Sequence, residues 1–364
     1  MGQLAVQVPV VITRLPGGPN VAKNKVGAGM QGMGPTSSPK RATTPIGVTR
    51  LRALRRHTGR VQIMGIVNRT PDSFFDGGAY LDDNAARARI NRLVKDGADI
   101  VDVGAESTRP GAAMIAAGEQ IDRIGDAIAW VLEAGAVACV DTTLPEVAAY
   151  AVGQGATMIN SVDLGPAAEL AEVAAEGGAD LVLTHCRGSM TAMPGFSEYA
   201  EDGYDDVVQD VTREWCVARD AAVSRGLDPE SILFDPGLGF KKSAVQSLTL
   251  CVRLRELKET LRPHRVLVGP SRKSYLAKTV AAVLRDEAET NAEPVVAPPP
   301  DERLGATIAA TVDLVTRGAD VVRIHDVAIL RQALAYASAV ASLDPDTPAA
   351  TPSRPGAGGG GDGA

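Results

Sequence analysis

The chain has 364 residues, of which 45% are hydrophobic and only 4% are aromatic, and its formal net charge at pH 7 is −7. This length suits one large α/β domain or two smaller ones, and without a run of 18 apolar residues the sequence implies no membrane-spanning helix. The four cysteines, Cys139, Cys186, Cys216 and Cys251, lie far apart with no CxxC pair. This argues against a zinc ribbon or a disulfide framework and indicates a reducing compartment, which we predict to be the cytoplasm.

The charges are divided unevenly along the chain. Residues 1–60 hold ten basic and no acidic side chains, so residues 61–364 hold the remaining 27 of the 37 basic residues and all 44 acidic ones. An acidic body of this kind argues against nucleic-acid binding. We predict a disordered basic arm over residues 1–45, one folded domain over 46–343, and a disordered low-complexity tail over 344–364.

Between the two tails, short β-branched runs alternate with Ala- and Leu-rich segments of helical spacing. The runs are VQIMGIVN (61–68), DIVDVGA (99–105), VACVDT (137–142), TMINSV (157–162), LVLTHC (181–186), ILFDPG (232–237), VLVGPS (266–271) and VVRIHDV (321–327). In openings such as DGADIV and RGADVV, a glycine ends a helix just before the strand. Eight such units predict a single-domain TIM (β/α)8 barrel of the α/β class, with an open doubly wound sheet as the minor alternative.

Ionisable or amide side chains lie at or just after the C-terminal end of every run. They are Asn68, Glu106, Asp141, Asn160, His185, Asp235, Lys273, Arg323 and His325. A single aspartate in such a place is often only the cap of the next helix, but eight coincidences favour an active site at the C-terminal face of a barrel. In the first loop, the adjacent Phe74 and Phe75 are candidates for a lid that excludes water.

The last run places two polar side chains on one face of an apolar strand. Arg323 and His325 are two residues apart, and neither suits a protein interior without a partner. One interpretation is that both are left unpaired in order to receive an anion. The other is that Arg323 pairs with an inward carboxylate, such as Asp102 or Asp235, and stabilises the barrel.

Five segments occur in an order that resembles one known family. MGIVNRTPDSFFDGG, DVGAESTRPGAA, FDPGLGF, VGPSRKS and RIHDV are similar to the signature segments of the dihydropteroate synthases, pterin-binding TIM-barrel enzymes of folate biosynthesis. The resemblance implies condensation of 6-hydroxymethyl-7,8-dihydropterin pyrophosphate with p-aminobenzoate, giving 7,8-dihydropteroate and pyrophosphate. It also implies a homodimer that binds these small molecules. From the composition, we expect neither a membrane nor a nucleic acid as a partner.

The resemblance further implies a set of site residues. The pterin contacts are Thr108, Asp141, Asn160, Asp235 and Lys273, the pyrophosphate contacts are Arg109, Arg323 and His325, and p-aminobenzoate lies over Pro110 and Ser271. Four of these are expected to be catalytic: Asp141, Lys273, Arg323 and His325. Asp141 would stabilise the cation that forms as pyrophosphate leaves. Asn68 is expected to hold Mg²⁺, which suits hard phosphate oxygens.

Several positions depart from the family pattern. They are Arg69 and Phe75 in the first loop, Ser161, Cys186, Lys241 and a Pro-rich insertion near residues 285–303. Two alternatives therefore stay open, a pterin-binding paralogue with weak or no synthase activity and a methyltetrahydrofolate-dependent methyltransferase of the same barrel family. The methyltransferase would not be expected to carry Arg323 and His325, because it expels no pyrophosphate.

Overall fold

The computed structural model of the chain describes residues 60–70, 82–106, 115–188, 203–287 and 296–343. Its eight parallel strands within these ranges are β1 (Gln62–Asn68), β2 (Ile100–Gly104), β3 (Val137–Asp141), β4 (Met158–Ser161), β5 (Asp180–Thr184), β6 (Ile232–Asp235), β7 (Arg265–Val268) and β8 (Val321–Ile324). Each strand pairs with the next in sequence, and β8 pairs with β1, so that the sheet closes into a barrel. The prediction of a TIM barrel is confirmed, and the open doubly wound sheet is wrong.

Helices surround this barrel on the outside. Those in the described ranges are α1 (Asp83–Asp96), α2 (Ala117–Ile124), α3 (Ala127–Ala134), α4 (Pro145–Gly153), α5 (Ala167–Gly177), α6 (Val207–Ser224), α7 (Ala244–Val252), α8 (Leu254–Thr260), α9 (Ser274–Glu287), α10 (Leu304–Thr316) and α11 (Val327–Leu343). Short 3₁₀ turns cover Pro229–Ser231 and Pro300–Arg303. None of these helices is long and apolar enough to cross a membrane.

The ends of the helices follow from local sequence. The Asp82 side chain caps α1 by accepting a hydrogen bond of 2.9 Å from the backbone N–H of Ala85. The same helix ends at Gly97, whose φ of 103° favours glycine because a Cβ is strained in the left-handed region. Gly318 follows α10 in the same way, with φ at 106°. The glycines before the strands therefore act as predicted.

Apolar side chains fill the barrel nearest the N-terminal ends of its strands. This interior cluster comprises Met64, Ile100, Val137, Cys139, Met158, Val182, Leu233, Leu267 and Val321. A larger cluster packs the outer faces of the strands against the helices, with Trp215 and Phe234 in edge-to-face contact at 5.2 Å. Because apolar side chains fill the N-terminal half of the barrel interior, the inward polar side chains lie together at the C-terminal face.

Some expectations lie outside the described residues. These are the basic arm over 1–45, the tail over 344–364, the proposed lid residues Phe74 and Phe75, and residues 288–295 of the Pro-rich insertion.

Candidate active site

The strand register brings one row of polar side chains together at the C-terminal face. Asn68 of β1 is level with Gly104 of β2, Gly104 is level with Asp141 of β3, and Asp141 is level with Asn160 of β4. Gly104 leaves space in this row, because a Cβ there would lie 3.7 Å from both Asn68 Oδ1 and Asp141 Oδ2. Four adjacent strands thus present two amides and one carboxylate around a gap that glycine keeps open.

Arg323 of β8 stands at the centre of a buried charge cluster. Its Nε donates to Asp102 Oδ2 at 2.6 Å, and its Nη2 donates to Asp141 Oδ2 at 2.7 Å. The interpretation that Arg323 is left unpaired is therefore wrong, and Asp102, not Asp235, is the inward carboxylate that receives it. Its side chain remains 23% exposed, and its Nη1 makes no hydrogen bond to the part of the chain that the structure describes. The pairing thus leaves a donor for a ligand.

Asp102 is a site residue to which the sequence assigned no role in binding. It is fully buried and accepts a second hydrogen bond of 3.1 Å from Asn160 Nδ2, in addition to the one from Arg323. The remaining oxygens, Asp102 Oδ1 and Asn160 Oδ1, are buried and have no hydrogen-bond partner among the described residues. Buried acceptors of this kind are costly unless a donor satisfies them, so they mark where a ligand with N–H groups would bind.

The protonation of this cluster is governed by burial. Burial raises the pKa of Asp141 to about 7, against the opposing effect of Arg323 and with support from the negative charges of Asp102 and Glu106. Burial by itself would lower the pKa of Arg323, but the carboxylates of Asp102 and Asp141 raise it above its usual range. Arg323 therefore stays charged, and Asp141 is the group that exchanges a proton near neutral pH.

Asp235 and Lys273 line the side of the barrel formed by β6 and β7. Asp235 Oδ1 accepts from the N–H of Gly237 at 2.7 Å, and Lys273 Nζ donates to the carbonyl of Leu238 at 2.6 Å. The same ammonium lies 3.7 Å from the ring centroid of Phe240, a cation–π contact. Burial raises the pKa of Asp235 and lowers that of Lys273 to about 8, and in each case the charge of the other group opposes the shift.

Ser271 and His325 meet next to this wall. Ser271 Oγ lies 2.8 Å from His325 Nδ1, and burial, together with the cations Arg272 and Arg323, lowers the pKa of His325 to about 3. The imidazole is therefore neutral at physiological pH and can act through a hydrogen bond but not through a charge. Arg272 turns away to pair with Asp326 at 2.7 Å, which supports the turn between Ser271 and Lys273 from behind.

Seven of the predicted site residues converge in this way, while three others lie outside the described residues. The converging residues are Asp141, Asn160, Asp235, Ser271, Lys273, Arg323 and His325, with Asn68 at the edge of the row. Thr108, Arg109 and Pro110, predicted to contact the substrates, fall in the range 107–114 that the structure does not describe.

The residues that depart from the family pattern make local contacts. Arg69 has a side chain only 5% exposed and pairs with Asp83 of α1 at 2.6 Å. Ser161 Oγ donates to the carbonyl of Asp163 at 2.7 Å, and the buried Cys186 makes a weak Sγ contact with the loop that follows β5. These contacts leave the row from Asn68 to Asn160 intact.

The fold and the site together define a class of protein. A closed parallel barrel whose C-terminal face combines buried carboxylates, amides and a buried lysine is suited to a flat heterocycle rich in N–H and C=O groups. Residues 64–325 match the family model described as pterin binding enzyme, and the chain belongs to that family.

Individual relatives agree with this placement. A dihydropteroate synthase from Mycobacterium leprae is 38% identical over 268 residues, which cover 73% of this chain and 89% of the relative. A protein named inactive dihydropteroate synthase 2, from the same organism, is 35% identical over 290 residues, covering 79% of this chain and 93% of the relative. The structure of the Xanthomonas albilineans dihydropteroate synthase with 4-aminobenzoic acid is 35% identical, has a TM-score of 0.64, and covers 78% of this chain and 94% of its own.

Proposed function

We propose that this chain is a dihydropteroate synthase, a transferase that joins 6-hydroxymethyl-7,8-dihydropterin pyrophosphate to p-aminobenzoate. The observation that carries the proposal is the pair of buried, unsatisfied acceptors Asp102 Oδ1 and Asn160 Oδ1, beside a guanidinium that still has a free donor. A pterin supplies N–H donors for Asp102 and Asn160, and a pyrophosphate supplies an anion for Arg323. A methyltransferase would use the acceptors but not the guanidinium.

Pterin recognition would use both sides of the barrel. Asp235 Oδ1 already holds the Gly237 N–H, which leaves Oδ2 to accept from the amino edge of the ring. Asn160 would accept a ring N–H at Oδ1, and Lys273 would donate to a ring oxygen or nitrogen. A heterocycle without this edge would leave the buried groups unpaired, which is a strong basis for discrimination.

The leaving group would bind beside the charge cluster. The C–O bond between the pterin methylene and pyrophosphate breaks, the bond electrons go to pyrophosphate, and the amine of p-aminobenzoate then bonds to the carbon and loses a proton. Arg323 Nη1 and the neutral His325 would donate hydrogen bonds to the departing oxygens. Ionised Asp141 would stabilise the positive charge on the pterin, since opposite charges attract strongly in a buried site.

The residues present also fit Mg²⁺. Asn68 Oδ1 and Asp141 Oδ2 border the same gap above Gly104, and Mg²⁺ prefers a small number of protein oxygens together with phosphate oxygens. Asn68 would hold the ion, with Asp141 close by, and the ion would neutralise charge on the leaving group. No group of three or more His, Cys, Asp or Glu side chains forms a metal cage within the described ranges.

The direct test mixes the purified chain with Mg²⁺, the pterin pyrophosphate and p-aminobenzoate and measures dihydropteroate. Asn68→Ala serves as a matched variant that leaves the pterin contacts in place and should raise the Mg²⁺ concentration needed for activity. If the native protein binds the pterin pyrophosphate but forms no product at any Mg²⁺ concentration, the synthase assignment is wrong and the chain is a pterin-binding paralogue.

The paralogue is the second candidate because three relatives are named inactive synthases. The structure favours activity, since Arg69, Ser161 and Cys186 contact neighbouring groups and do not displace a site residue. The proposed homodimer finds support in α11, where four exposed apolar side chains, Ile329, Tyr336, Val340 and Leu343, recur at helical spacing. A cytoplasmic location is in keeping with the four cysteines, which form no disulfide bond with one another. Sedimentation of the purified chain tests the dimer.

A further inference from the structure

One buried cation of this molecule has no place in the reaction described above. Lys242, in the turn between β6 and α7, is fully buried, and no carboxylate pairs with its ammonium in the described ranges. Its Nζ lies within hydrogen-bond distance of four groups, which share its three N–H donors: His185 Nδ1 and the His185 carbonyl at 3.0 Å each, the Phe240 carbonyl at 3.1 Å and the Gly237 carbonyl at 3.2 Å. Burial lowers the pKa of Lys242 to about 7, so its charged form is costly at this position, and the placement of a lysine here calls for a reason.

Lys242 donates to backbone carbonyls of the turn after β6, and other backbone groups of this turn contact Asp235 and Lys273, the proposed pterin ligands. The Gly237 N–H bonds to Asp235, and the Leu238 carbonyl receives Lys273. The turn also lies very close to the end of β5, because a Cβ on Gly237 would meet the His185 carbonyl at 1.9 Å. Gly237 has φ at 66°, so both its conformation and its surroundings favour glycine. The carbonyls of His185 and Gly237 both accept from Lys242 Nζ, at 3.0 and 3.2 Å, so this one side chain bridges the end of β5 and the turn after β6.

The Lys242 side chain belongs to a series of hydrogen-bonded polar side chains that leads to the protein surface. His185 Nε2 lies 3.0 Å from Glu214 Oε2, and Glu214 pairs with Arg187 at 2.5 Å. Burial and the nearby Lys242 lower the pKa of His185 to about 4, while the hydrogen bond from His185 lowers that of Glu214 to about 2. His185 is therefore neutral, with its proton on Nε2 toward Glu214 and its Nδ1 free to accept from Lys242.

We propose that Lys242 is a positioning residue for pterin recognition: by gathering the carbonyls of His185, Gly237 and Phe240, it fixes the turn that orients Asp235 and Lys273. Glu214 supports it by fixing the tautomer of His185. The inference rests on the proposed function, because it concerns the pterin side of that site. It assigns to Lys242 no contact with substrate.

The test compares Lys242→Met with the neighbouring Lys241→Met as a matched control. Lys241 lies next to Lys242 in the same turn, and its ammonium makes no hydrogen bond to this network among the described residues, so only Lys242→Met removes a member of the network. The probes are 6-hydroxymethylpterin, which reports the pterin side, and inorganic pyrophosphate, which reports the Arg323 side. We expect Lys242→Met to weaken pterin binding ~10–100-fold, as for the loss of charge-assisted hydrogen bonds, and to leave the pyrophosphate Kd within about twofold.

Each outcome has one meaning. If native protein binds the pterin and Lys242→Met binds it equally well, the positioning role is refuted while the proposed function stands. If both affinities fall together in Lys242→Met, its role is general stability, which also refutes the inference. If the native protein does not bind the pterin, the proposed function fails, and this inference fails with it.

A second variant covers the case in which Lys242→Met does not fold. Glu214→Gln removes the charge at the far end of the network, where the side chain is 30% exposed and the cost to folding is smaller. Without that carboxylate, the His185 proton can move to Nδ1, where it opposes the Lys242 ammonium. We expect pterin binding to weaken about threefold, since three carbonyl acceptors remain, with pyrophosphate binding unchanged. An unaltered pterin Kd in Glu214→Gln would overturn the proposal.

Discussion

Replacing Asp141 with asparagine should make the protein more stable and the enzyme much slower. Burial holds the pKa of Asp141 at about 7 in the folded chain, whereas an unfolded aspartate titrates near ~3.9. The folded state therefore disfavours the ionised form, and native stability should fall as pH rises from ~4 to ~7. An amide in the same position has no charge to lose, so the Asp141→Asn protein should lack this fall.

The expected magnitude follows from the same values. At ~1.4 kcal/mol per pH unit, the ionised carboxylate costs the native fold roughly 1.5 kcal/mol at pH 5 and roughly 4 kcal/mol at pH 7 and above. Arg323 keeps Asp102 as a partner in the variant, so no buried cation is stranded. Urea unfolding of both proteins at pH 5, 6, 7 and 8 should give a difference in unfolding free energy that grows across this range and then levels off.

Kinetics separate the two roles of the same side chain. If ionised Asp141 stabilises the developing pterin cation, Asp141→Asn should lower kcat by ~10²-fold while KM for the pterin pyrophosphate changes only a few-fold. Unfolding free energies that run parallel at all four pH values would refute the electrostatic account of burial. A rise in KM with kcat unchanged would refute the assigned role in the transition state.

Three further predictions concern the same site and the tails. Arg323→Ala should lower the unfolding free energy by ~3–5 kcal/mol, because Asp102 loses its partner, and adding Asp102→Asn should recover most of that loss. Stability equal to native in the single variant would contradict the pairing seen here. Asp235→Asn should weaken 6-hydroxymethylpterin binding at least ~10-fold in calorimetry, because an amide donor then faces the donors of the ring, and an unchanged Kd would remove Asp235 from the pterin site. A protein without residues 1–45 and 345–364 should keep its solubility and turnover, and loss of either would show that the tails contribute to the domain.

The alternation of strands and helices could be predicted because it is written locally. β-branched runs, helix-ending glycines and polar residues at strand ends each depend on a few neighbouring positions, and together they specify a barrel with its site at the C-terminal face. The placement of Asn68, Asp141 and Asn160 in one row follows once the strands pair in order, since all three lie at or next to the C-terminal end of their strands.

The partner of Arg323 could not be predicted because it depends on register across three strands. Arg323 is level with Met64 of β1, and Met64 is level with Ile100 of β2, two residues before Asp102. The backbone of Arg323 therefore lies nearer the N-terminal ends of the strands than that of Asp102, and its side chain extends toward the C-terminal face to reach carboxylates on β2 and β3. Without knowledge of the stagger of the barrel, the two inward carboxylates Asp102 and Asp235 were equally good candidate partners.

Lys242 was missed for a different reason. Lys242 and His185 lie 57 positions apart, and only the close approach of the segments after β5 and β6 brings their polar atoms together. A pair of lysines in a loop is indistinguishable in sequence from a solvated turn. Long-range contacts between irregular segments leave no periodic pattern, so the supporting side of a site is harder to foresee than the side that meets the substrate.

The distribution of charge within the barrel bears on how one site can serve two oppositely charged fragments. The two carboxylates of Asp102 and Asp141 pair with the single guanidinium of Arg323, and burial raises the pKa of Asp141 to about 7. The excess of negative charge lies beside the row from Asn68 to Asn160, which would hold the pterin, the fragment on which a cation develops. Arg323 Nη1 and the neutral His325 would instead face the leaving pyrophosphate. As pyrophosphate departs, the growing positive charge on the pterin would itself favour ionised Asp141. Asp141 therefore lowers the unfolding free energy of the ligand-free protein but stabilises the charge that forms during bond cleavage. This is why Asp141→Asn is expected to raise stability and lower turnover.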